Sequence, residues 1–147
     1  MTRRTLTALM IVAAITGTRA SVRGQGIEWE TLNDEVKWLY QKGQYDRAVV
    51  VAKKALEVAE KAVGSNHPSV AASLNNLALL YATQGQYAQA EPLYMRSLAI
   101  MEKALGADHP SVATSLENMA ELYRATDRIK AAEELEKRAA RIRASKR

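Results

Sequence analysis

Cysteine is absent from the 147 residues, which excludes disulfides and thiolate-bound metals. Proline and glycine are scarce, at three and seven residues, and most of them punctuate apolar stretches. The chain has no glycine-rich phosphate loop, no nucleophile elbow and no paired-histidine helix. Its carboxylates are scattered, so no constellation for catalysis, for a metal or for a cofactor stands out, and the expectation is a non-enzyme. What is present is 48% apolar and 25% charged residues, which suits a soluble helical protein of one modest domain.

The strongest positive feature is a repeat of 42 residues. Shifted by that amount, residues 64–81 fall on 106–123 with twelve of eighteen pairs identical, including His67/His109, Pro68/Pro110, Asn76/Asn118 and Tyr81/Tyr123. The same shift carries Gly43, Tyr45 and Ala48 onto Gly85, Tyr87 and Ala90. One step further the pattern has decayed to Asp127, Ile129 and Ala132. A period in this range marks a solenoid, whose units bury their apolar faces on one another and present an extended surface.

Residues 1–20 belong to a different segment. Arg3 and Arg4 precede the apolar run Leu6–Ile15, and Thr18-Arg19-Ala20 offers small residues at the positions a signal peptidase reads. This is the pattern of a cleaved secretory signal and implies a secreted or periplasmic protein. The alternatives are an uncleaved membrane anchor, although a spanning helix needs about 20 apolar residues, and a spurious start before a cytoplasmic protein. Cleavage would remove three arginines, leaving 18 basic against 16 acidic side chains and a net charge of +2 instead of +5. No stable membrane span is expected after cleavage. Little basic character is then left to attract nucleic acid.

Residues 21–26, with two glycines and no apolar period, read as a linker before a repeat domain over 27–147. Helix pairs are expected at 28–42 and 45–63, at 68–84 and 88–105, and at 110–125 and 128–143. Leu74, Leu77, Ala78 and Tyr81 form one stripe at helical spacing, and Ala90, Leu93, Tyr94, Ser97, Leu98 and Met101 another. Gly43 and Gly85 sit where a helix ends in a left-handed turn. Pro68 and Pro110 open helices, with Asn66 or Asp108 available as caps. Ala48 and Ala90 mark close helix crossings. The last helix has one apolar stripe, Ile129, Ala132, Leu135, Ala139 and Ile142, under a charged remainder, as a terminal repeat requires. Trp29 is placed to cover the opposite end.

Leu74-Asn75-Asn76-Leu77-Ala78-Leu79-Leu80-Tyr81, Gly85-Gln86-Tyr87, Ala90-Glu91-Pro92-Leu93-Tyr94 and Ser97-Leu98 resemble a tetratricopeptide repeat. The longer period, with Gly106-Ala107-Asp108-His109-Pro110 between units, is similar to kinesin light chain repeats. The resemblance covers about 27–143, with repeats near 31–64, 73–106 and 115–143. It implies an all-α solenoid that binds proteins. It also implies that the first helix of each pair lines a concave groove. The matched positions form three rows: Asn33, Asn75 and Glu117; Lys37, Leu79 and Glu121; Tyr40, Ala82 and Arg124. Leu79 lies outside the hairpin stripe, so it either contacts a ligand side chain or packs on a neighbouring repeat. The carboxylate clamp of some relatives is missing, because Asn75 and Leu79 occupy the matched positions.

His67 and His109 occupy the same turn of successive units, where neighbouring helices sit about 8–10 Å apart, whereas zinc holds its nitrogens at about 2 Å. They therefore read as turn residues bonding to backbone, and no metal is implied. The basic tail 137–147 has no aromatic residue to stack on bases and reads as cations offsetting a helix dipole. Two functions remain: a scaffold that takes a protein or peptide segment in its groove, or a self-associating building block of a homo-oligomer.

Overall fold

The computed structural model of the chain describes residues 20–146, with side chains from 26 onward. The signal-like segment 1–19 lies outside the described residues. Six helices follow one another: α1 (Ala20–Gln41), α2 (Tyr45–Val63), α3 (Pro68–Thr83), α4 (Tyr87–Leu105), α5 (Pro110–Ala125) and α6 (Ile129–Ala144). Each packs on the next in the chain, and α3 also reaches α5. Among the described residues no helix is long and apolar enough to cross a membrane.

The expected helix pairs are all present, but the start of the domain differs. Residues 21–26 are not a linker; they form the opening turns of α1, which at 22 residues is six longer than α3 or α5. Gly24 and Gly26 each cost a helix about 1 kcal/mol relative to alanine, and the helix continues through them.

The turn inside each pair is the same structure three times. The N–H groups of Gln44, Gln86 and Arg128 donate to the carbonyls of Leu39, Tyr81 and Tyr123 at 2.8–2.9 Å. This is the long closing bond of a helix ending in the left-handed conformation. Gly43 and Gly85 supply that conformation in the first two pairs, and Asp127 supplies it in the third, at φ 60°.

Between pairs, helices α3 and α5 are capped by His67 and His109. Each Nδ1 accepts from the N–H of Ser69 or Ser111 at 3.1 Å. The sequence reading put Asn66 or Asp108 there, but both are exposed and the histidine one residue later holds the capping position. This is the bonding to backbone that the sequence suggested for both histidines.

Ala48, Ala90 and Ala132 are fully buried, as close crossings demand. The middle of the solenoid is the densest part: every residue from Val70 to Leu80 on α3 is buried. Trp29 does not cover an end. It lies in α1 and turns inward, its Nε1 donating to Ser73 Oγ at 2.7 Å.

Candidate binding groove

Helices α1, α3 and α5 are tied side by side through asparagine side chains. Asn76 Nδ2 donates to Asn33 Oδ1 at 3.0 Å, and Asn118 Nδ2 donates to Asn75 Oδ1 at 3.1 Å. Both bonds link residues 43 apart. Each joins one position of a repeat to the next-numbered position of the following repeat. Asn33 also donates to the Trp29 carbonyl at 2.8 Å. Asn75 is 1% exposed, so its amide is used to join repeats and not to meet a ligand. The repeated asparagines were visible in the sequence; the 43-residue pairing that employs them was not.

The second row divides. Leu79 is 5% exposed and belongs to the core with Val36, Leu39, Tyr40, Ala48 and Ala52. Of the two readings left open for it, packing between repeats is the one adopted. Lys37 is half-buried on α1 and has no ion-pair partner among the described residues. Glu121 on α5 is exposed, and among the described residues it has no ion-pair partner. Despite that exposure, its pKa is raised, chiefly by desolvation of the carboxyl and then by the Glu117 charge.

In the third row, the Tyr40 ring is buried and meets Tyr45 edge-on, with centroids 5.5 Å apart. Its hydroxyl lies 3.5 Å from Thr83 Oγ1. Arg124 is engaged: Nε and Nη2 donate to the two carboxylate oxygens of Glu136 at 2.7 Å. Glu117, from the first row, is held in the same way by Arg143. Both pairs run from α5 to α6 and rim a depression of about 390 Å³ lined by Glu117, Glu136, Ala140, Arg143 and Ala144.

One residue that the row pattern missed comes from α4. The Tyr94 side chain is buried. Burial raises its pKa, and the nearby Glu121 and Tyr40 raise it further. This phenol on α4 thus lies within electrostatic range of one group on α5 and one on α1. Its place in the α4 stripe gave no hint of this, because the stripe reports burial and not where the phenol tip ends.

The charges on the outer helices are arranged by the same period. Arg96 meets Glu60, and Arg138 meets Glu102, each at 2.6 Å between successive repeats. Among the described residues no group of three His, Asp or Glu side chains could hold a metal ion.

The tetratricopeptide repeat family matches residues 31–103 and 71–145. A search of curated proteins found no match. Among solved structures, the chain is similar to a Podosopora anserina protein assigned as a kinesin light chain with nearly identical TPR-like repeats. Identity is 28% and the TM-score 0.75, over 88% of this chain and 59% of that one. BtubC (BKLC) from P. vanneervenii shares the fold at 22% identity and a TM-score of 0.73, over 90% of this chain and 51% of that one. The chain thus spans between half and three-fifths of the length of these proteins. With the 42-residue period, the hairpin turns and the asparagine ties in place, the chain belongs to the tetratricopeptide repeat family, and its repeats are of the kinesin light chain kind.

Proposed function

We propose that this protein is an exported scaffold that holds a segment of another protein against the face formed by α1, α3 and α5. Tetratricopeptide repeats generally serve as non-catalytic interaction scaffolds, which supplies the broad class. The observation that carries the finer reading is the contrast along the groove rows. Glu117 and Arg124 are neutralised by α6, whereas Lys37 and Glu121, on one row, have no ion-pair partner among the described residues. Charges held unpaired on a rigid surface are available to a ligand at little reorganisation cost. Export is proposed from Arg3-Arg4, the Leu6–Ile15 run and Thr18-Arg19-Ala20.

Self-association is the second reading, and one observation favours it. Trp38 is 52% exposed, whereas Leu80 and Leu122, which follow it at the repeat spacing, are buried between repeats. Continuing the solenoid with a second copy opposes it. The ladder bonds join residues 43 apart, so the incoming Asp34 would face Glu117, two carboxylates where the interior has two amides. We therefore favour a monomer that binds a different chain.

The test is capture of a partner from the native extract by the wild type and by a Lys37→Glu/Glu121→Lys variant, with light scattering of each. A partner held by the wild type and released by the variant, on a monomeric chain, is the expected result. Equal retention would move the site off this face. A mature terminus at Met1 or Thr2 would reject export.

A further inference from the structure

The third repeat contains a side-chain lock that the second repeat lacks. Arg128, in the α5–α6 turn, lays its guanidinium over the Tyr123 ring, with Cζ 4.0 Å from the centroid. Its Nη1 and Nη2 donate to the two carboxylate oxygens of Glu91 on α4 at 2.8 Å, and its Nε donates to Thr126 Oγ1 at 3.1 Å. One repeat earlier, at the 42-residue spacing, Tyr81 keeps the ring, but Gln86, Val49 and Gln84 stand in place of Arg128, Glu91 and Thr126. The matching space is an open cleft of about 270 Å³ between α2 and the α3–α4 turn, lined by these four residues together with Asp46 and Lys53. The Gln84 side-chain nitrogen is buried and has no hydrogen-bond partner among the described residues. A buried donor left unmet is destabilising, and a carbonyl brought by a ligand would meet it.

We propose that this cleft receives an arginine side chain from a partner protein. The guanidinium stacks on Tyr81 as Arg128 stacks on Tyr123 and pairs with the Asp46 carboxylate, while a backbone carbonyl of the partner accepts from Gln84 Nε2. The copy inside the same chain fixes the occupant. A guanidinium is planar, so it covers a tyrosine face and pairs with a carboxylate along its edge, which the compact ammonium of lysine does not do. The cleft falls below the roughly 300–1,000 Å³ of small-molecule pockets, so it is sized for one side chain. Asp46 is exposed in the first turn of α2, one turn before Val49 and on the same face, and takes the role of Glu91. Lys53 lies seven residues further along α2, about 10 Å away, which places the incoming cation at the Asp46 end. No residue of the three groove rows lines the cleft, so this contact is separate from the groove proposed above.

The experiment is an NMR titration of the full chain with N-acetyl-arginine N-methylamide, reading the Tyr81 ring and Gln84 side-chain amide signals. The lysine analogue and the uncharged citrulline analogue are the controls. The arginine compound should shift both signals to saturation, and the other two should leave them in place. Asp46→Asn should raise the half-saturating concentration about threefold. Val49→Glu/Gln86→Arg builds the lock of the third repeat into the second and should abolish the response at wild-type helicity. Lys37→Glu and Glu121→Lys should leave it unchanged, since the groove is a different surface. The proposal is overturned by no shift with the arginine compound, by equal shifts with all three compounds, or by a full response in the folded double variant. If the double variant loses helicity, Asp46→Asn decides, because it alters only an exposed side chain: an unchanged half-saturating concentration overturns the proposal.

Discussion

Glu102 and Arg138 meet at 2.6 Å between α4 and α6, and Glu60 and Arg96 make the same contact one repeat earlier, between α2 and α4. All four side chains are at least one-third exposed, so each pair contributes under about 1 kcal/mol. Their value is positional: α4 takes part in both, so a slip of α4 would break both at once. A Glu60→Gln/Glu102→Gln variant should melt slightly below wild type at low ionic strength. The gap should close in 1 M salt, where the Debye length is about 3 Å. A gap unchanged by salt would mean that the pairs act through packing.

Asn118→Ala should destabilise the protein by about 1–3 kcal/mol, because it removes the donor to the buried Asn75 carbonyl and leaves a polar group without that bond. Asn75→Ala should do the same, and Leu79→Asp should be worse, since it buries a charge in an apolar cluster. Urea midpoints report this directly. Wild-type midpoints for all three would place these residues on an open surface and not in the seam.

The turn at Asp127 uses a left-handed conformation at φ 60° that Gly43 and Gly85 adopt in the other repeats. Asp127→Gly should raise the melting temperature, since the left-handed region costs L-residues about 1–2 kcal/mol, less for Asp. Gly106, at φ 93° and ψ 151°, occupies a region open essentially to glycine alone, and Gly106→Ala should lower it. Equal melting temperatures for the two variants would contradict the turn geometry.

His67 carries a pH dependence whose sign is set by burial. Its pKa is lowered by desolvation, and it caps α3 only while Nδ1 is unprotonated. The unfolded chain therefore binds the proton more readily than the folded one. The stabilisation is fully present above about pH 6.5 and is lost as the pH falls through the lower folded-state value. His67→Asn keeps a capping acceptor without titrating. Melting temperatures at pH 8 and pH 5 should therefore differ more for wild type than for this variant; an equal difference would refute the cap.

Much of the architecture was legible because the repeat shift aligns equivalent residues without any structural information. It placed the turns, the close crossings at Ala48 and Ala90, and three helix pairs. A stripe at i, i+3, i+4, i+7 finds only the face a helix turns toward its hairpin partner. It fails for α3, which is enclosed by α2, α4 and α5; Asn75 and Leu79 lie off that stripe and are buried all the same. The opening of α1 was missed because glycine marks a break only statistically. The histidines were read as turn residues bonding to backbone, as they do, but the capping position itself was sought among the usual short polar side chains, one position too early. Lys37 and Glu121 were named in advance, but only the pairing of their neighbours with α6 shows why these two matter.

Because each helix rests chiefly on the next, no contact must wait for the two ends of the chain to find each other. Folding is then governed by short closures and proceeds quickly for its length, and opening proceeds from the ends inward. Among the described helices, α6 packs chiefly on α5. It also carries Arg143 and Glu136, the groups that neutralise Glu117 and Arg124. Fraying at that end would therefore add a fresh acid and a fresh base to the binding face while its backbone stays in place. Helix α6 therefore sets how much of the charge on α5 is open to solvent.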